Sequence, residues 1–228
     1  MNLEMECSSE RLILLPEKAI FWPRTSSLLV ADLHFGKPAA FRQSGIAVPE
    51  ATTAFDLKRL DKILRETESK RLIILGDFFH AAAGRQPEMM ETLDAWCQKN
   101  SGLETILVPG NHDRKSGEPP ACWKIQIVPD GWGFPPFSFC HEPKSREDSY
   151  VFCGHLHPAI SIREKFGSGI RAPCFWFGPQ RAVLPAFGSF TGMHSIQPRP
   201  GERIFAVGDD EIIEVTWGYS RVRQRFQR

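Results

Sequence analysis

Side chains that bind metal ions or transfer protons occur in five short clusters of this 228-residue chain. Each cluster directly follows an apolar run of the kind that forms a buried strand, so its polar groups would lie where a strand ends. The clusters are Asp32-Leu33-His34, Gly76-Asp77, Gly110-Asn111-His112-Asp113, His141 and Gly154-His155-Leu156-His157. Carboxylates and neutral imidazoles suit manganese, iron or zinc, and no thiolate is needed. The pattern therefore indicates a metal centre.

The number of candidate ligands indicates two metal ions rather than one. A lone histidine is usually structural, but five of the seven histidines of the chain fall in these clusters. The candidate ligands exceed what one four-coordinate ion can hold, whereas two ions sharing a bridging carboxylate can use them all. Such a pair of ions, about 3.5–4 Å apart, stabilises in-line displacement at phosphorus. The candidate ligands are Asp32, His34, Asp77, Asn111, His141, His155 and His157.

The first three clusters are separated by segments of helical periodicity. Strands are predicted at Ser27–Ala31, Arg71–Leu75 and 105–109, and helices at 49–68 and Pro87–Lys99. Strands that alternate with helices form a parallel sheet, in which ligands bind at the carboxyl ends of the strands. All three clusters fall at that edge.

The second half of the chain has no helical periodicity. There, short strands separated by glycine- and proline-rich turns follow residue 113. These strands, predicted to form a largely antiparallel second sheet, are at 124–128, 137–140, 149–153, 160–163, 170–177, 181–184, 203–207 and 211–217. Near the start of the chain, a hairpin is predicted from 11–15 and 19–22. With no linker or repeat, residues 1–228 are expected to form a single α/β domain of two stacked mixed β-sheets flanked by helices.

Composition limits the partners and the compartment. A net charge of +1 gives no protein-wide field to attract nucleic acid or membrane, so any nucleic-acid contact must rest on local patches. No apolar run approaches the ~18 residues of a membrane span, and the acidic start of the chain is unlike a secretory signal. The six cysteines include no C-x-x-C pair and are expected to be reduced thiols. These features predict a cytoplasmic protein.

In order and identity, the five clusters resemble those of the calcineurin-like metallophosphoesterase superfamily over residues 28–160. The resemblance implies a four-layer sandwich of two β-sheets flanked by helices, with a dinuclear metal centre. It also implies the ligands: Asp32, His34 and His157 for one ion, Asn111, His141 and His155 for the other, and Asp77 bridging both.

The expected reaction is hydrolysis of a phosphate ester by a metal-activated hydroxide that attacks opposite the leaving group. His112 follows a ligand without being needed as one, so it is the predicted general acid. Asp113 is predicted to orient His112 and raise its basicity, the alternative being a loop cap. Gly76, Gly110 and Gly154 each precede a ligand, where glycine permits a positive φ or a close backbone approach.

A narrower resemblance is to the bacterial ligase-associated DNA damage response phosphoesterases. It is carried by 31–37, 75–80, 173–177 and 184–188. It implies a manganese-dependent phosphodiesterase, with iron or zinc as alternative metals. The implied activity is that of a DNA endonuclease in repair, working beside a DNA ligase, a helicase and an exonuclease.

Direct support for a DNA substrate lies outside the ligands. Lys37 and Arg114 follow ligand motifs and are placed to contact flanking phosphates. The tail 221–228 has four arginines and no acid, which suits a nucleic-acid backbone, although a solvated tail is the simpler interpretation. His80 belongs either to the rim of the site or to an ordinary loop, and His194 is given no role.

Two rival functions fit parts of the pattern. The first is hydrolysis of a small phosphoester or pyrophosphate, such as a nucleotide or lipid intermediate. Such enzymes usually carry a substrate-gripping insertion, and only 115–136 and 142–149 are free to build one. The second is a metal-free scaffold, which would be expected to lose ligands, and none is missing here. The sequence therefore favours a nuclease or diesterase.

Overall fold

The structure, a computed structural model, describes residues 1–48, 52–163 and 169–215. Within these ranges two β-sheets stack face to face, one of seven strands and one of nine. Helices pack against the outer face of the first sheet. These features confirm the predicted α/β class with two stacked mixed sheets and flanking helices.

The first sheet contains the strands that end in the first three clusters. Its strands follow chain order: β1 (Leu3–Cys7), β2 (Glu10–Leu15), β3 (Ala19–Trp22), β4 (Ser27–Ala31), β5 (Arg71–Leu75), β6 (Glu104–Val108) and β7 (Gln126–Ile127). Strands β1 to β4 pair antiparallel, and β4 to β6 pair parallel as predicted. The prediction for 124–128 is wrong: β7 does not join the second sheet but pairs parallel with β6 at the edge of the first. Ala31 is in register with Leu75, and Leu75 with Val108, so three strands end at one level.

Four α-helices are described: α1 (Lys37–Gln43), α2 (Thr52–Glu66), α3 (Pro87–Lys99) and α4 (Asp113–Ser116). Helices α2 and α3 connect the parallel strands and bury Leu60 and Leu93 against Val30 and Ile74. Helix α3 has its predicted bounds, whereas the predicted start of α2 at 49–51 lies outside the described residues. Helices α1 and α4 were not predicted because they are too short to show an apolar periodicity. Among the described helices, none is long and apolar enough to cross a membrane.

The second sheet is mixed. Its strands are β8 (Trp132–Phe134), β9 (Phe137–Phe139), β10 (Tyr150–Cys153), β11 (Pro158–Arg163), β12 (Gly169–Phe177), β13 (Arg181–Val183), β14 (His194–Ser195), β15 (Arg203–Val207) and β16 (Ile212–Val215). Most neighbours pair antiparallel, but β10 runs parallel to both β9 and β13, and β11 to β14. Because β9 and β10 are parallel, His141 and His155, which follow them, emerge at the same edge.

Alternation along the parallel strands divides the core into two layers. Leu29 and Ile73 face the second sheet, where they pack with Phe139, Phe152 and Phe175. Two smaller groups of buried apolar residues lie on the outer face of the second sheet, and neither contains a helical residue in the described part of the chain. The described residues therefore build three of the four implied layers. All six cysteines are unpaired, as predicted.

Candidate metal centre

The first two clusters are aligned by backbone hydrogen bonds that continue beyond the ends of β4 and β5. The N–H of Asp32 donates to the Gly76 carbonyl at 3.2 Å, and the N–H of His34 donates to the Asp77 carbonyl at 2.8 Å. A parallel β-bridge between Phe35 and Phe79 extends the same register. The backbone of the sheet therefore fixes how these two clusters face each other.

The first candidate ligand group consists of Asp32, His34 and His157. Their ligand atoms all lie within 4.8 Å of one another. His34 Nε2 lies 3.3 Å from His157 Nε2, which lies 3.6 Å from Asp32 Oδ1. Asp32 is fully buried, and its Oδ1 has no hydrogen-bond partner among the described residues. A buried carboxylate oxygen without a donor is costly unless a cation faces it.

The second candidate ligand group consists of Asp77, Asn111, His141 and His155. Ligand atoms of the carboxylate and both histidines lie within 4.8 Å of one another. His141 Nε2 is 3.0 Å from Asn111 Oδ1, 3.0 Å from His155 Nδ1 and 3.5 Å from Asp77 Oδ2. All seven predicted ligands are therefore brought together at one edge of the fold.

Asp77 lies between the two groups. Its Oδ2 is 3.7 Å from His34 Nε2 and 3.5 Å from His141 Nε2, while its Oδ1 accepts the N–H of His112 at 2.9 Å. Burial raises the pKa of this carboxyl group, with His141 acting in the opposite direction. One carboxylate oxygen of Asp77 is thus held by the backbone, and the other faces histidines of both groups.

Hydrogen bonds to carbonyls set the protonation of two imidazoles. His141 Nδ1 lies 3.1 Å from the Leu75 carbonyl, and His157 Nδ1 lies 3.1 Å from the Gly192 carbonyl. Since a carbonyl only accepts, each Nδ1 carries the proton and each Nε2 presents its lone pair to the site. Burial lowers the pKa of His34, which favours its neutral form. Lone pairs and carboxylate oxygens that converge in this way repel one another unless cations separate them, so the donor set fits divalent metal ions.

Five of the seven candidate ligands share an unusual backbone conformation. Left-handed φ values occur at Asp32 (55°), His34 (50°), Asp77 (51°), His155 (71°) and His157 (48°). For a residue with a Cβ this region costs about 1–2 kcal/mol, and such strain concentrates at functional sites. This conformation was not predicted, because none of these positions is a glycine.

The glycines that precede three of the ligands provide space for side chains of other clusters. An added Cβ would lie 2.0 Å from His141 Nδ1 at Gly76, 2.1 Å from Asp77 Oδ1 at Gly110, and 2.6 Å from Asp32 Oδ2 at Gly154. No side chain tolerates such distances, so the predicted close approach is confirmed.

His112 and His80 lie together beside the first group. His112 Nδ1 donates to the His80 carbonyl at 2.5 Å, and its ring centroid is 5.0 Å from that of His34. The His80 ring stacks on His112 at 4.7 Å, and its Nδ1 is 3.3 Å from His34 Nδ1. Burial, reinforced by His112, lowers the pKa of His80 to about 4. The sequence signals for His80 were its position three residues after Asp77 and its place in the stretch 75–80, and neither separated it from an ordinary loop histidine.

The predicted role of Asp113 as the residue that orients His112 is wrong. Asp113 Oδ1 accepts the Phe79 N–H at 3.0 Å, and Oδ2 accepts the Gly110 N–H at 2.9 Å. Both carboxylate oxygens are therefore used by the backbone, and the His80 carbonyl holds His112 instead. The loop-capping alternative describes Asp113 correctly.

The remaining predicted residues lie at or beyond the rim. Lys37 is half-buried beside His34, and its charge contributes to the lowered pKa of that imidazole. Arg114 is exposed and donates to the Pro109 carbonyl at 3.4 Å. His194 contributes its backbone N–H to the His157 carbonyl at 2.9 Å. The arginine-rich stretch 221–228 lies outside the described residues.

A segment of the second half, residues 186–192, supports the first group. The N–H of Phe187 donates to the Ala31 carbonyl at 2.7 Å and that of Gly188 to the Asp32 carbonyl at 3.2 Å. Gly192 supplies the carbonyl that holds His157. From the sequence, part of this segment (within 184–188) contributed only to the family resemblance, and no structural role was predicted for it.

An ionic cluster of the buried Asp56 and the half-buried Lys18 and Arg59 holds that segment in place. Asp56 Oδ2 accepts the N–H of Ser189 at 2.9 Å and its hydroxyl at 3.1 Å. Arg59 donates to the Phe187 carbonyl, and its guanidinium carbon lies 4.0 Å from the centroid of the Phe187 ring. Lys18 Nζ donates to the Gly188 carbonyl at 3.3 Å. Burial lowers the pKa of Lys18 to about 7 and raises that of Asp56.

Comparison with known proteins identifies the class. The profile of the family described as calcineurin-like phosphoesterase matches residues 26–157. The match covers more than half of the chain, which therefore belongs to this family and is a metal-dependent phosphoesterase. Among curated protein sequences, none matches the chain significantly.

Comparison with solved structures shows which individual proteins the chain resembles within this family. The nuclease MPE of Pseudomonas putida is 38% identical, with a TM-score of 0.83 over 93% of this chain and 100% of that one. This similarity agrees with the predicted resemblance to the ligase-associated phosphoesterases. The phosphoesterase Yfce of E. coli is 13% identical over 83% of this chain and 97% of its own, and its TM-score of 0.39 is too low to carry an argument.

Proposed function

We propose that the protein is a dinuclear-metal-dependent phosphodiesterase that cleaves DNA as an endonuclease in DNA repair. The observation that carries the dinuclear part is the position of Asp77, whose Oδ2 faces histidines of both ligand groups at 3.7 and 3.5 Å. The similarity to a nuclease over almost the whole chain supports a polynucleotide substrate. Both sheets share one buried cluster, which supports a single domain over residues 1–228.

We propose the following ligands: Asp32, His34 and His157 for one ion, Asn111, His141 and His155 for the other, and Asp77 for both. Nitrogen and oxygen donors without sulfur suit manganese, iron or zinc, and the family resemblance favours manganese among them. When bound, the ions lower the pKa of a water molecule for attack at phosphorus and neutralise the charge of the phosphate. The fixed Nδ1 protons of His141 and His157 keep their Nε2 atoms available as donors.

We propose His112 as the general acid. The His80 carbonyl holds its Nδ1 proton, so in the imidazolium form its Nε2–H is free to protonate the departing oxygen. The ring lies 5.0 Å from that of His34, beside the first group, which supports a role next to the metal centre.

The biological setting rests on the family resemblance. A nuclease of this kind would act in the cytoplasm in association with a DNA ligase, a helicase and an exonuclease, with no membrane partner. Lys37, half-buried beside the site, supports binding of an anionic backbone.

A manganese-supplemented assay comparing bis-p-nitrophenyl phosphate, single-stranded DNA and a panel of mononucleotides tests this proposal. We expect cleavage of DNA and of the nitrophenyl diester. Turnover of mononucleotides alone, with DNA left intact, would instead indicate a small-molecule phosphoesterase.

In the same assay His112→Ala should lower DNA cleavage by roughly 10²- to 10⁴-fold and the nitrophenyl reaction much less, since nitrophenolate leaves without an acid. Equal losses on both substrates would remove His112 from that role.

A further inference from the structure

Two partly exposed aromatic rings lie next to a lysine beside the first ligand group. Phe41 on α1 and Phe190 in the segment after β13 meet edge to face, with ring centroids 5.6 Å apart. Lys37 Nζ lies 5.9 Å from one ring and 6.0 Å from the other. We infer that these three residues, the rim triad, form a nucleobase-stacking subsite for single-stranded nucleic acid. The inference rests on the proposed nuclease function and adds the residues that bind a base.

The rim triad is connected to the candidate metal centre on two sides. The Phe41 ring lies 6.3 Å from the ring of His80, whose Nδ1 is 3.3 Å from His34 Nδ1. Phe190 lies two residues before Gly192, whose carbonyl holds His157. A strand whose phosphate lies at the first ligand group would therefore bring a neighbouring base to the two rings.

The rings do not behave as ordinary core residues. Neither Phe41 nor Phe190 belongs to the buried clusters of the described part of the chain. In proteins that bind single strands, aromatic faces stack with bases and nearby cations contact the backbone.

The charge of Lys37 is available to a ligand. It is half-buried, yet it pairs with no carboxylate within the described ranges, unlike Lys62 and Lys99, which form ion pairs. An ammonium group held against aromatic rings without a protein anion is complementary to a phosphodiester joined to a base. A purely apolar partner surface would leave this charge unpaired, so a nucleotide strand fits the triad better than an apolar peptide does.

Binding of a fluorescent oligothymidylate to the full-length protein without added manganese tests the subsite independently of catalysis. We expect the double variant Phe41→Leu/Phe190→Leu to raise the dissociation constant roughly ten-fold or more, since leucine keeps apolar volume but cannot stack. An oligomer with abasic sites should bind the wild type with a similar loss and should bind the double variant with little further loss. Phe55→Leu is the matched control, because Phe55 on α2 is an exposed ring that also lies near a cation, 5.8 Å from Arg59 on the same helix.

Equal affinity of wild type and double variant for the oligothymidylate would overturn the subsite, as would a wild type that binds normal and abasic strands alike. Melting temperatures of the variants establish that a loss of binding is not a loss of folding. Cleavage is measured separately with manganese. If the wild type binds the strand through the triad but cuts no DNA, the proposed function fails while the subsite stands; if it cuts DNA and the triad variants bind normally, the subsite alone fails.

Discussion

One histidine in each ligand group is held in place by a different part of the fold. In the second group, His141 is fixed by the carbonyl of Leu75 within β5, at the centre of the first sheet. In the first group, His157 is fixed by Gly192, in a segment that depends on the distant ionic cluster of Lys18, Asp56 and Arg59. His141 thus depends on strand register, whereas His157, unlike Asp32 and His34 of its own group, depends on long-range side-chain contacts.

This difference has a consequence for metal affinity. Strand register in the centre of a sheet cannot change without unfolding, whereas a loop held by a few polar contacts can shift slightly. We therefore expect the second group to retain its ion through most substitutions outside the site. The first group should respond to changes far from the metal. Asp77, shared by both, should show no such selectivity.

The largest expected effect is that of Asp77→Asn. An amide cannot supply the negative charge that both groups face, so the variant should bind neither ion tightly and turn over no substrate. Steady-state hydrolysis of bis-p-nitrophenyl phosphate across a manganese titration measures this. Retained activity at saturating manganese would refute the bridging role.

Gly110→Ala should affect both groups almost as strongly, although it removes no ligand. The added Cβ would lie 2.1 Å from Asp77 Oδ1 and 2.6 Å from its backbone nitrogen, so the carboxylate that we propose as the bridge must move. We expect at least a 100-fold loss of kcat/KM, on the scale of about 2.7 kcal/mol for two factors of ten. Gly102→Ala is the control, since nothing lies within 4 Å of a Cβ there. Similar activity of the two variants would contradict the crowding argument.

Asp56→Asn should separate the two groups. The amide cannot balance Lys18 and Arg59, so the segment that holds His157 should loosen. We expect manganese affinity to fall roughly ten-fold at one of two sites, comparable with the effect of outer-shell partners on metal binding. Calorimetric titration resolves the sites, and Asp56→Glu should restore part of the loss.

The matched control for Asp56 is Asp61→Asn. Asp61 is also on α2, but it accepts hydrogen bonds from Trp96 in α3 and from Asn100, which directly follows α3. Equal weakening of both metal sites in Asp56→Asn, or an equal effect of Asp61→Asn, would show that the ionic cluster acts only on overall stability.

Asp113→Asn should have the smallest effect on catalysis and a visible effect on stability. The carboxylate accepts N–H groups of Phe79 and Gly110, and an asparagine has only one oxygen to accept them. We expect a loss of about 1–3 kcal/mol in the free energy of unfolding, measured by urea denaturation, with kcat at saturating manganese within a few-fold of wild type. Unchanged stability with a large loss of kcat would restore the orienting role.

The sequence predicted what depends on local pattern and strand register. Continuous apolar runs located β4 and β5, and the carboxyl-end rule placed Asp32, Asp77 and Asn111 at one edge. It did not predict short elements such as α4 or β14, which carry too few residues for a periodicity. Nor did it predict the left-handed ligands, the place of His80 or the role of the ionic cluster. These arise from contacts between residues far apart in the chain, for which a single sequence carries no signal.

The number of manganese ions bound per chain tests the central claim most directly. Isothermal titration of the wild-type protein, confirmed by metal analysis after removal of excess ion, gives this number. The two ligand groups that meet at Asp77 predict two ions in the wild type and fewer than two in Asp77→Asn. A fully active wild-type enzyme with one ion per chain would contradict the dinuclear account.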